Sequence, residues 1–148
     1  MNDRLVEKRR GDLILSTDRA RVDVEATLAM LHASHWGGNM RREQLVRAIE
    51  HSVCFSVLDV ANDNRQLAFA RVVTDLTTYG YLTDVIVAQD ARGRGLGSWM
   101  VETIVEHPDF QELRRITLLT RDAQRLYERF GFSTDPPKSV YMELRPHP

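Results

Sequence analysis

A chain of 148 residues with 43% apolar and 28% charged side chains has the length and balance of one folded domain and not of a disordered chain. Twenty Lys and Arg against 21 Asp and Glu leave a formal charge of −1, without the basic excess of a nucleic-acid binder. The single cysteine, Cys54, excludes an intramolecular disulfide and a thiolate zinc cluster; its apolar alternating surroundings read as those of a buried structural thiol.

The opening residues MNDRLVEKRRG are charged and lack the apolar core of a secretory signal, and no apolar run reaches the length of a membrane span. The expectation is a cytoplasmic domain over residues 1–148, with residues 1–11 as a flexible N-terminal arm and neither nucleic acid nor membrane as partner. Asp12 to Thr17 (DLILST) reads as a first strand, followed by turn residues. From Val22 to Ala33, the positions Val24, Leu28 and Leu31 recur at helical spacing, with Asp23 and Glu25 favourable in the first turn. A break follows at Ser34-His35-Trp36-Gly37-Gly38-Asn39-Met40, and helical spacing resumes over 41–51 through Leu45 and Ile49. Trp36 is either a core anchor between the two helices or a wall of a substrate pocket. His35 is either an exposed loop histidine or part of that pocket.

Val53 to Val60 and Gln66 to Thr74 are β-rich and are linked by a polar turn of hairpin length, Ala61 to Arg65. Tyr81 to Ala88 is a third consecutive strand, so an antiparallel meander is expected. A glycine-punctuated turn, Gly93-Arg94-Gly95-Leu96-Gly97, then opens a helix with Leu96, Trp99, Met100, Thr103 and Ile104 on one stripe. Arg115 to Leu119 is another strand. Asp122 is expected to cap a helix bearing Ala123, Leu126, Tyr127 and Phe130, closed by Gly131. Phe132 to Thr134 and Val140 to Leu144 read as final short strands around Pro136-Pro137. The order β-α-α-β-β-β-α-β-α-β-β is mixed α/β (α+β) with a mixed sheet, and it does not alternate as a doubly wound parallel sheet does.

A strand that ends in a glycine-rich turn opening a helix leaves N–H groups without intrahelical partners, which suits a phosphate-bearing ligand. The P-loop is excluded, because Gly97-Ser98-Trp99 lacks its lysine. The dinucleotide fingerprint fits poorly, because the glycine spacing differs and the turn lies past mid-chain after a hairpin.

The run Arg92-Gly93-Arg94-Gly95-Leu96-Gly97, preceded by Asp84-Val85-Ile86-Val87, resembles the coenzyme A signature of the GNAT superfamily of acyl-CoA-dependent N-acyltransferases. About thirty residues later, Ala123 to Phe132 (AQRLYERFGF) is similar to that superfamily's A-x-x-L-Y-x-x-x-G-F segment. The resemblance implies acetyl-CoA (coenzyme A) as co-substrate, no metal, and a small-molecule or peptide primary amine as acceptor; it is compatible with a homodimer. Carried onto this chain, the pyrophosphate site is Arg92, Gly93, Arg94, Gly95, Leu96, Gly97 and Ser98. The pantetheine arm would pair with Val85 and Val87 around Ile86, and Thr120 stands where relatives often carry a cofactor-binding asparagine.

Acyl transfer from a thioester to an amine needs a neutral amine, a polarised carbonyl and a protonated leaving thiol. Tyr127 matches the family tyrosine placed to protonate that thiol, or it packs in the core with Leu126 and Phe130. For the base, Asp84 is an acid inside an otherwise apolar strand, where a carboxylate needs a cleft or a partner such as Arg71. Asp75 and a water chain are the alternatives. His35 and Trp36 would bound the acceptor site. A non-catalytic acyl-CoA-binding domain is the rival reading of the whole.

Overall fold

The computed structural model describes residues 1–134 and 141–146. Six strands form one sheet in chain order: β1 (Glu7–Arg10), β2 (Leu13–Ser16), β3 (Val53–Asp59), β4 (Arg65–Thr74), β5 (Tyr79–Val87) and β6 (Arg115–Leu118). Neighbours are antiparallel except β5 and β6, which are parallel. Helices α1 (Val24–Ala33) and α2 (Arg42–Glu50) connect β2 to β3, α3 (Leu96–Val105) connects β5 to β6, and α4 (Gln124–Glu128) follows β6.

Alternation along the strands sorts the apolar residues into two layers. Val53, Phe55, Val57, Ala68 and Ala70 pack with α3 through Leu96, Trp99, Met100, Val101 and Ile104, and Tyr127 of α4 joins this cluster. Cys54, Phe69 and Ile86 meet Leu31 of α1 with Leu45 and Ile49 of α2 in a second cluster. Each such fully buried side chain contributes about 1.5–3 kcal/mol, so α3, apolar through most of its length, is anchored firmly. The sheet thereby holds β5 between helices on either side.

The meander, its polar turn and the helix after the glycines lie where the sequence puts them. Other expectations need correction. Glu7–Arg10, read as part of a flexible arm, form edge strand β1 beside β2, tied down by ion pairs from Lys8 to Glu106 and from Arg10 to Glu102. Asp122 does not cap α4; the Thr120 hydroxyl accepts the Ala123 N–H at 3.0 Å instead. Phe132 to Thr134 form no strand. The Phe132 N–H is bonded back to the Tyr127 carbonyl at 3.3 Å, and its ring packs edge-on against that of Tyr127. Tyr141 to Leu144 are also not a strand, because Tyr141, Met142 and Leu144 stay exposed and bury no face. Val140 and Pro136-Pro137 lie outside the described residues.

Candidate active site

The site begins where β5 and β6 part. Their parallel pairing runs from Tyr79↔Arg115 to Leu82↔Leu118 and stops, while β5 continues to Val87. At the parting point the β4–β5 register slips between Phe69 and Arg71, and Asp84 adopts a left-handed φ of 54°. A non-glycine residue there is strained, and such strain concentrates at functional bulges. Beyond the bulge, the Ala88 N–H bonds to Leu67 of β4 at 2.8 Å. Alternation therefore turns Ile86 toward β4 and the backbone groups of Val85 and Val87 toward the open edge. That edge can accept an extended, amide-bearing chain.

At the end of this edge the chain passes through a 3-10 turn (Gln89–Ala91) into the glycine turn. Gly95 stands at the N-cap of α3 with φ 75° and no side-chain cap, a conformation that glycine adopts without penalty. The first intrahelical bond is Trp99 N–H to Gly95 carbonyl at 3.0 Å, so the N–H groups of Leu96, Gly97 and Ser98 are left as donors. Apart from chain neighbours, no atom lies within 4 Å of the position where a side chain would begin on Gly93 or Gly95. Arg92 and Arg94 are exposed, and the Arg92 Nε reaches the Val87 carbonyl at 3.4 Å. Open space, free donors and two cations fit an anionic phosphate group.

On the other side of the parting, a cleft of about 800 Å³ brings Asp84, Val85, Thr120 and Tyr127 together with His35 and Trp36. Tyr127 also lines a neighbouring cavity of about 570 Å³. It is only 8% exposed, burial raises its phenol pKa above the usual range, and its hydroxyl has no protein partner among the described residues. Trp36 is 53% exposed, so it is a cleft wall and not a core anchor. His35 sits edge-on to it with ring centroids 4.8 Å apart. Gly37 sets this loop: a Cβ there would lie 2.8 Å from the Leu31 carbonyl, while its N–H bonds to Ser34 Oγ at 3.0 Å. The loop thus folds back on the end of α1 and turns Trp36 outward.

Asp84 is 7% exposed, and its Oδ2 accepts from Arg71 Nε at 2.5 Å, the partner named as an alternative in the sequence. Its Oδ1 has no protein partner among the described residues. Asp75 is not in the cleft. Its carboxylate accepts the N–H groups of Thr77, Thr78 and Tyr79 and the Thr78 hydroxyl, and these bonds hold its pKa well below the usual range, so it pins its own turn. Two residues escaped the sequence reading. Ser52 accepts from Arg71 Nη1 at 3.2 Å; no local pattern marks it, because the contact joins the residue before β3 to β4. Arg129 Nη2 donates to Ser98 Oγ at 2.7 Å, bringing a further cation to the N-terminus of α3. A signal for it existed, since Arg129, at the C-cap of α4, follows Arg125 at four-residue spacing.

The acetyltransferase (GNAT) domain family matches residues 50–134, which hold the meander, the glycine turn and Tyr127. A Gibberella zeae protein named as an acetyltransferase is 32% identical over 136 residues, covering 80% of this chain and 77% of its own. The chain belongs to the GNAT acetyltransferases. A crystal structure of a GNAT-family protein from Xanthomonas campestris superposes with a TM-score of 0.82 at 38% identity, covering 90% of this chain and 94% of that one. Glucosamine-6-phosphate N-acetyltransferase from Arabidopsis thaliana shares the fold alone, with a TM-score of 0.64 at 18% identity over 91% of this chain and 99% of its own. GNAT acetyltransferases generally take acetyl-CoA as co-substrate, and the open β5 edge and glycine turn of this chain offer an edge for an extended arm and donors for a phosphate.

Proposed function

We propose that the protein transfers an acetyl group from acetyl-CoA directly to a primary amine of a small molecule or peptide. The observation that carries this reading is the shared cleft, in which Asp84 and Tyr127 line one space beside the open β5 edge and the glycine turn. Bound acetyl-CoA supplies a thioester, whose acetyl carbon gains a C–N bond as its C–S bond breaks and coenzyme A departs as a thiol.

The chain's own residues bind, orient and move protons. The N–H groups of Leu96 to Ser98, with Arg92, Arg94 and Arg129, hold phosphates. The backbone of Val85 and Val87 aligns the amide-bearing arm, and Thr120 lies at the cleft end of that path. Tyr127 holds a proton at its hydroxyl for the departing sulfur. A phenol of pKa about 10 donating to a thiolate of about 8.5 is uphill by roughly 2 kcal/mol, a small part of an acyl-transfer barrier. Burial makes that donation steeper and keeps the phenol protonated at neutral pH. Oδ1 of Asp84 accepts the proton that the amine must lose, and His35 and Trp36 bound the acceptor.

Incubation with acetyl-CoA and 2-phenylethylamine, spermidine, glucosamine or a lysine-containing peptide tests the reading. Thiol release matched by an acetylated amine is the expected result. Coenzyme A binding without release on any of these amines would favour a non-catalytic acyl-CoA-binding domain. An acetylated enzyme formed without amine would contradict direct transfer.

A further inference from the structure

We propose that Arg71 is a positioning residue that aims Asp84 at the acceptor amine, with Ser52 as its anchor; this rests on the acetyl-transfer reading. Asp84 stands on a bulge in a left-handed conformation, where its side chain has no strand geometry to fix it. A carboxylate on such a backbone can rotate unless one oxygen is held. Arg71 holds it, with Nε on Oδ2 at 2.5 Å. The guanidinium is itself tethered through Nη1 to Ser52 Oγ at 3.2 Å, and Ser52 is buried. Arg71 does not line the cleft and Asp84 does, so the chain of contacts runs from Ser52, just before β3, through β4 to one cleft-facing carboxylate. With Oδ2 occupied, Oδ1 is the oxygen left for the amine.

The guanidinium fork suits this task. Its planar donors leave in fixed directions, so Nε and Nη1 can address two neighbours at a set angle. A lysine would keep the charge and lose the angle. Arg71→Lys should therefore lower kcat while leaving the structure and the cofactor site intact.

The experiment uses whichever amine of the panel the wild-type protein acetylates fastest. Arg71→Lys should drop kcat about 10- to 100-fold, the effect of small misplacement at a reacting centre. Coenzyme A affinity should stay within about twofold, because the hydrogen bonds of Arg71 go to Asp84 and Ser52 and not to the cofactor turn. Ser52→Ala, which keeps the ion pair, should give a smaller loss in the same direction. In an Asp84→Asn background, Arg71→Lys should cost little further, since its effect passes through the carboxylate. Guanidinium ion added to Arg71→Ala should restore part of the lost rate. Should Arg71→Lys fold poorly, Ser52→Ala and the Asp84→Asn background still decide the matter. Wild-type kcat in both Arg71→Lys and Ser52→Ala, or full additivity with Asp84→Asn, would overturn the inference while leaving acetyl transfer standing. Absence of thiol release by the wild-type protein would overturn the acetyl-transfer reading itself and this inference with it.

Discussion

The glycine turn and the cleft are built on opposite principles. The turn is nearly contiguous: Arg92 to Ser98 supply two cations, its bare backbone and the start of α3 in one stretch, with Arg129 added from the end of α4. The cleft is assembled from segments far apart, with His35 and Trp36 from the α1–α2 loop, Asp84 from the β5 bulge and Tyr127 from α4. A site made of backbone N–H groups tolerates most side-chain changes around it. A site made of converging side chains depends on each support that aims them. Binding and transfer should therefore be separable by mutation.

The largest separation is expected at Asp84. Asp84→Asn should lower kcat by at least about 100-fold, the usual scale for a lost proton acceptor, while coenzyme A titrated calorimetrically binds as to wild type. It also leaves Arg71 without its charge partner, so a thermal melt should accompany the assay. Arg129→Ala should act on the other half. Removing one charge-assisted contact at the α3 N-terminus should raise the coenzyme A Kd about 10-fold, with kcat at saturating cofactor unchanged. Gly37→Ala should displace the Trp36 loop, because the new Cβ would press on the Leu31 carbonyl. Its expected signature is a rise of about fivefold in acceptor KM with the cofactor KM unaffected.

The smallest effect is expected away from both halves, at the end of α3 where His107 packs on Phe55 and Phe110. His107, just past α3, is buried, and its Nδ1 accepts the Asp109 N–H at 3.1 Å. Burial depresses its pKa below the usual value, so the folded state binds this proton less readily than the unfolded chain. Its contribution to stability is complete above about pH 6.5 and is lost as the pH falls toward the folded value. His107→Phe should flatten that acid limb in denaturant melts between pH 7 and 5, with little change in turnover at pH 7.

The same contrast explains what the sequence made legible. Glycine spacing and the Tyr127 segment are local patterns, so the turn and the β5–α3 junction could be read from them. The β-rich run from Val53 and the stripe from Leu96 to Ile104 were legible in the same way, as a strand and as the buried face of α3. Asp84 was noticeable as an acid among apolar neighbours, yet its bulge was not, because a register slip is a property of two strands together. Arg71 could be named as a neighbour, but its tether to Ser52 joins residues whose proximity only the sheet creates. Strand β1 was hidden by its charge, since an edge strand of Glu, Lys and Arg lacks the apolar alternation that marks strands. At the C-terminal end, Tyr141, Met142 and Leu144 carry an apolar strand-like pattern yet find no face to bury.

Tyr127→Phe tests the central claim most directly, because it deletes one hydroxyl without a protein partner among the described residues and keeps the packing of the ring. Turnover and coenzyme A affinity should be measured on the same preparation. The account predicts that kcat falls about 100-fold while the coenzyme A Kd stays within about twofold. Wild-type turnover in this variant would contradict the proposed proton transfer. A loss of coenzyme A binding equal to the loss of rate would contradict the division of the site into a binding turn and a reacting cleft.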